Sequence, residues 1–137
     1  MKDRFKFRVW DKENKCLHYP TRYSNFAIVN GTVIKIESYP TKNSAYLGKR
    51  IAWEFDDAVI MQSTGLKDKN GKLIYEGDIV KTIYTKPDGV IINRKCVIEY
   101  NRSAFWINYG IAASYLYNDD CIYEVIGNIY ENKELLK

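Results

Sequence analysis

Phe26-Ala27-Ile28-Val29-Asn30-Gly31-Thr32-Val33-Ile34-Lys35-Ile36 is the stretch from which the fold is read. Two apolar, β-branched runs flank Asn30-Gly31. A two-residue hairpin of the primed type needs positive φ at both central residues, and Asn-Gly adopts it at the least steric cost. The stretch therefore predicts an antiparallel hairpin with its turn at Asn30-Gly31.

The segments on either side keep the same period. Upstream, Arg4 to Trp10 alternates, with Phe5, Phe7 and Val9 on one side and Arg4, Lys6 and Arg8 on the other. Period two predicts a strand with one buried and one basic face. Polar Asp11 to Lys15 reads as a turn, and Cys16 to Tyr19 as the returning strand, ended by Pro20. Downstream, residues 37–50 are poor in apolar side chains and carry Pro40, Asn43 and Gly48, so they read as a long loop. Further strands are predicted at Trp53–Phe55, Val59–Gln62, Ile79–Tyr84, Val90–Asn93, Lys95–Tyr100, Ala104–Tyr109 and Ile122–Ile126. Turns are predicted at Asn70-Gly71, Glu76-Gly77-Asp78 and Pro87-Asp88-Gly89, and a bulge or bend at Gly127. Only Asn132 to Lys137 offers a helical turn. Short strands at close spacing predict a mainly β fold built on a small barrel, with little helix.

Composition agrees and narrows the function. The chain has 137 residues, one ordinary domain, and 12 Tyr, 5 Phe and 3 Trp suit pleated, half-buried surfaces. The net charge is +4, but residues 1–50 carry 11 Lys/Arg against 4 Asp/Glu while residues 51–137 carry 10 against 13. That asymmetry predicts one basic face or a contact between opposite charges. Cys16, Cys96 and Cys121 form no C-x-x-C pair, which points to a reducing compartment and away from the usual zinc and redox motifs. No signal-peptide core and no membrane-spanning apolar run is present, so the cytoplasm is the expected location.

Each chemistry-bearing motif has an ordinary structural role as its alternative. Asp68-x-Asn70-Gly71 lacks the flanking helices and the twelfth-position ligand of a calcium loop. Gly65 and Gly71 do not form a phosphate loop, since Lys72 is followed by Leu73. His18 is the one histidine and reads as a strand residue without a base-and-orienter context. Asp56-Asp57 and Asp119-Asp120 sit beside turns, where Asp is common for backbone reasons. The expectation is no catalytic residue, no cofactor and no metal. The positive signal is the basic strand face. Lys2, Arg4, Lys6 and Arg8 would project at intervals of about 7 Å, near a phosphate repeat, with Trp10, Tyr19 or Tyr23 as stacking platforms for bases. A charged edge that blocks aggregation is the ordinary alternative.

Three blocks carry a family resemblance: Phe5 to Lys15, Met61 to Val80 (Met-Gln-Ser-Thr-Gly-Leu-Lys-Asp-Lys-Asn-Gly-Lys-Leu-Ile-Tyr-Glu-Gly-Asp-Ile-Val) and Glu124 to Asn132. In this order they resemble the YopX family of phage and prophage proteins. The resemblance implies an SH3-like β-barrel core at about 51–131 with the N-terminal strands of 4–36 packed on it, in a single domain of 1–137. It implies expression in a bacterial host cell and no activity. In the middle block Gly65, Gly71 and Gly77 would fix turns, and Leu66, Ile74, Ile79 and Val80 would be core. Two functions follow as expectations. One is a binding module whose partner is nucleic acid or a host or phage protein. The other is a self-associating structural protein, since uncovered strand edges pair into symmetric oligomers.

Overall fold

The computed structural model describes residues 2–21, 24–30, 32–41, 44–55, 57–110, 112–116 and 121–137. Strands make up 63% of it and no helix reaches seven residues, so the mainly β class holds. No helix among the described residues is long and apolar enough to cross a membrane. The chain divides into two compact units, Met1–Phe5 with Gln62–Lys137, and Lys6–Met61.

The second unit holds β1 (Phe7–Asp11), β2 (Cys16–His18), β3 (Ser24–Val29), β4 (Thr32–Thr41) and β5 (Ser44–Phe55). β1 and β2 form the expected first hairpin, with Asp11 opposite Cys16 and Val9 opposite His18. β3 and β4 form the Asn-Gly hairpin, closed by Val29 opposite Thr32, and Asn30 has the required positive φ of 51°. β4 continues into a second hairpin with β5, making a three-stranded sheet. The loop expected at 37–50 is therefore corrected. Its described residues are the arms of this hairpin, with Glu37 opposite Ile51 and Thr41 opposite Ser44. Pro40, one of the residues that marked the loop, sits at a register shift between Tyr39 and Thr41. A bulge needs no ladder donor there, so proline fits.

The first unit carries most of β6 (Ala58–Lys67), then β7 (Leu73–Tyr75), β8 (Asp78–Thr85), β9 (Ile91–Asn101), β10 (Ala104–Asn108), β11 (Ala113–Tyr115) and β12 (Cys121–Asn128). The last five form an antiparallel sheet in the order β11-β10-β9-β8-β12, curled as a half-barrel. Pairing puts Val80 beside Cys96 and Val125 and Ile98 beside Ile107. Alternation sends these side chains to one face, where Ile74, Val80, Cys96, Ile98, Ile107 and Leu116 form the core cluster. Of the four residues assigned to the core in the middle block, Ile74, Ile79 and Val80 are fully buried, whereas Leu66 is exposed. It sits past the bend at Gly65, which together with Gly71 and Gly77 has φ near +80°.

Both edges of the five-stranded sheet are blunted. β11 is three residues long, too short to template a neighbour. Beside β12, the Asp68–Lys72 loop takes up backbone groups: Lys69 N–H donates to Tyr123 O at 2.9 Å and Val125 N–H donates to Asp68 Oδ2 at 3.0 Å.

The bulge expected at Gly127 is present as a register shift between Val125 and Gly127. A Cβ there would lie 2.6 Å from Asn132 Oδ1, the atom that accepts the Asn128 N–H at 3.2 Å. Gly127→Ala must push Asn132 off that donor. Overpacking of this kind costs about 1–3 kcal/mol, and urea denaturation should show the midpoint fall by that free energy divided by an unchanged slope.

Candidate functional site

The N-terminal basic row does not form as the alternation predicted. Lys2–Phe5 is a 3-10 turn, so Arg4 does not share a strand with Lys6 and Arg8. β1 starts at Phe7, and its next four residues, Arg8, Val9, Trp10 and Asp11, are all buried. Consecutive buried residues mean that both faces of β1 are covered, and a covered face has no solvent side for Arg8 to occupy. Arg8 is 1% exposed and Trp10 8% exposed, so neither lies on an open surface. The Arg8 guanidinium donates to the Tyr19 hydroxyl at 3.4 Å. Arg4 and Lys6 are exposed, with Arg4 over the ring of Phe5 at 5.9 Å. The Lys2 side chain and Tyr23 lie outside the described parts, as do Asp56, Asp119 and Asp120.

A different cationic and aromatic surface lies in the first unit. β8, β9 and β12 run on past the core cluster, and pairing sets Thr82 opposite Arg94 and Tyr84 opposite Ile92 and Cys121. These side chains continue the core face toward the Pro87-Asp88-Gly89 turn. There they line an open hollow of about 210 Å³ together with Tyr109. Arg94 and Tyr109 also wall a second hollow of about 420 Å³, which adds Lys95, Val97, Asn108, Gly110 and Leu136. The Arg94 guanidinium stands 5.5 Å from the centre of the Tyr109 ring, a cation–π distance. The two hollows share Arg94 and Tyr109 in their walls, a cleft whose described lining holds the cations Arg94 and Lys95 and the rings of Tyr84 and Tyr109. No carboxylate is among the described residues that line it. Sequence reading missed it because its residues come from β8, β9, β12 and the end of β10, which meet only through the sheet register.

Two titratable groups mark how dry the neighbouring core face is. Burial pushes the Cys96 thiol up to about 12, and its Sγ donates to Val80 O at 3.4 Å. Burial likewise raises the Tyr123 hydroxyl. Neither group is set up as a nucleophile or a base at neutral pH.

His18 lies in a strand, as the sequence predicts, and it has polar neighbours there. On the β1–β2 hairpin, His18 Nε2 lies 3.3 Å from Cys16 Sγ and 3.6 Å from Asp11 Oδ2. A relay for nucleophilic catalysis needs the thiol on one ring nitrogen and the carboxylate on the other. Here both address Nε2. Asp11 also closes the hairpin turn, accepting from Asn14 N–H at 3.0 Å and from the Asn14 side-chain amide at 2.8 Å. The hydrogen bonds from Asn14, chiefly that of its side chain, lower the Asp11 carboxyl below the usual value. Alternation places Cys16 and His18 on one strand face, and Asp11 faces Cys16 across the turn, so this cluster was within reach of the sequence.

Fold and surface together define a small mainly β protein whose largest sheet is a curled half-barrel with an open cationic, aromatic cleft. The chain belongs to the YopX family: the model described as YopX protein matches residues 6–137. It is similar over 96% of its length to the crystal structure of protein YopX from Bacillus subtilis, at 22% identity and a TM-score of 0.68, covering 95% of that chain. It is 30% identical to protein EF1440 from Enterococcus faecalis, with a TM-score of 0.57 and coverage of 96% of this chain and 97% of that one. Comparison with curated proteins yields no match.

Proposed function

We propose that the protein is a binding module without catalytic chemistry, and that its cleft takes single-stranded nucleic acid. The observation that carries this reading is the Arg94–Tyr109 pair at the centre of the cleft. Lys95 and Arg94 supply charge for phosphates, and Tyr109 and Tyr84 supply ring faces for bases. Single strands are bound by this combination of cationic groove and stacking platform. The surface differs from the one expected from the sequence: Arg8 and Trp10 are buried, and the contact moves from β1 to the sheet formed by β8, β9 and β12. The setting implied by the family resemblance is a bacterial host cell, with the gene of phage origin. Self-association through the edges of the five-stranded sheet is the weaker reading, because β11 is short and β12 is covered.

Fluorescence anisotropy with a labelled single-stranded 12-mer tests the proposal. Binding should weaken steeply with salt, with a slope of about −0.7 per phosphate neutralised. Arg94 is exposed, so Arg94→Ala leaves the fold intact. It should weaken binding about tenfold and flatten the salt slope by roughly one phosphate. Absence of binding to single-stranded DNA and RNA at low salt would reject the reading.

A further inference from the structure

We propose that Asp11, Cys16 and His18 form a site for one divalent transition-metal ion of the zinc class. The site is separate from the cleft and does not rest on nucleic-acid binding. A thiolate, an imidazole and a carboxylate are the donor types that a borderline-soft ion takes. All three stand on one face of the β1–β2 hairpin, where their donor atoms lie within 4.8 Å of one another.

Distances favour an ion over a simple hydrogen-bonded group. A tetrahedral zinc ion bonded to sulfur at about 2.3 Å and to nitrogen and oxygen at about 2.0 Å sets neighbouring donors about 3.3–3.5 Å apart. The Sγ–Nε2 separation is 3.3 Å and the Nε2–Oδ2 separation is 3.6 Å, so two edges of that tetrahedron already stand. The third edge, from sulfur to carboxylate, is no longer than 4.8 Å. Without an ion, one ring nitrogen faces a thiol and a carboxylate together, and it can serve only one of them well. A cation at their centre satisfies all three.

Supporting groups are in place. Asn14 holds both carboxylate oxygens of Asp11, as residues around metal ligands commonly do. The Phe55 ring lies 5.2 Å from the His18 ring, tilted against it. Side-chain exposure is 8% for Asp11 and 24% for His18, so the site is half-buried with room for a fourth ligand such as water. As the sulfur–metal bond forms, the Cys16 thiol releases its proton to solvent. Affinity must therefore rise with pH.

Cobalt titration of the chelator-stripped full chain tests this. One equivalent of Co²⁺ should bring up a thiolate-to-cobalt charge-transfer band with the intense visible bands of tetrahedral cobalt, and Zn²⁺ should abolish both. Cys16→Ser should remove the charge-transfer band, and Cys121→Ser should leave it. Asp11→Asn keeps the turn contacts closest to native and should weaken binding about tenfold or more, so the test survives if the cysteine variant fails to fold. A wild-type chain that gives no cobalt band overturns the proposal. A band that persists in Cys16→Ser, or weak binding of several ions untouched by all three variants, overturns it too.

Discussion

Asp68→Ala should lower the stability of the protein by about 3 kcal/mol, the sum expected when one carboxylate serves several donors. Asp68 is 7% exposed. Its Oδ1 accepts the N–H groups of Asn70 and Lys72, each at 2.9 Å, and its Oδ2 accepts Val125 N–H at 3.0 Å. Alanine leaves all three donors without this partner. Asn70 and Lys72 are exposed and regain water, whereas Val125 is half-buried in β12 and regains it poorly. The Val125 bond joins residues 57 apart in sequence, so its loss frees both the loop and the strand it covers. Asp68→Asn keeps one oxygen for the loop and turns an amide toward Val125, so it should lose about half as much. Thermal unfolding should show Tm fall by roughly 10 °C for alanine and 5 °C for asparagine at this chain length.

The same residue sets an acid limit. Burial acts to raise the Asp68 carboxyl, but hydrogen bonds from Val125, Lys72 and Asn70 outweigh it, and the group ends below the ordinary aspartate value of 3.8. A carboxylate with a depressed folded pKa stabilises the fold fully above its unfolded pKa. That contribution is lost as pH falls from there through the lower folded value. Wild type should therefore lose stability below about pH 4, and Asp68→Ala should show a shallower decline over the same range.

Ile98→Ala should cost about 3–4 kcal/mol, in the range for a large aliphatic side chain cut to alanine in a closed core. Ile98 is 0% exposed at the centre of the cluster with Ile74, Val80, Cys96, Ile107 and Leu116. Its neighbours belong to paired strands, so the cavity cannot collapse without breaking ladder hydrogen bonds. Ile122, on β12 of the same sheet, is 52% exposed. Ile122→Ala should therefore stay within about 0.5 kcal/mol of wild type. Urea titration of both variants separates packing from strand propensity. Equal losses would mean that the core face has been assigned to the wrong side of the sheet.

What the sequence revealed was what is decided locally. Asn30, Gly71 and Gly77 announce their turns because few residues tolerate those φ values. The bulge at Gly127 was readable for a related reason, a glycine inside a strand pattern. The arms of the β4–β5 hairpin were not readable, because residues 37–50 are polar and owe their extended shape to ladder partners rather than to their own preference. β11 escaped because it has three residues, all exposed. Arg8 was misplaced because alternation gives the side of a strand but not whether that side is covered. The cleft was invisible for the same reason: Arg94 and Tyr109 meet only through the β9–β10 register. The SH3-like closure implied by the resemblance is a statement about strand arrangement, and the strand order alone, with β11 and β12 at its ends, does not supply it.

Amide chemical shifts of the isotope-labelled chain, followed while a single-stranded oligonucleotide is added at low salt, test the recognition surface most directly. The cleft predicts shifts concentrated at Ile92–Cys96 and Asn108–Gly110, with Lys2–Trp10 unmoved. Shifts confined to the N-terminal segment, or a spectrum that does not change at all, would contradict it.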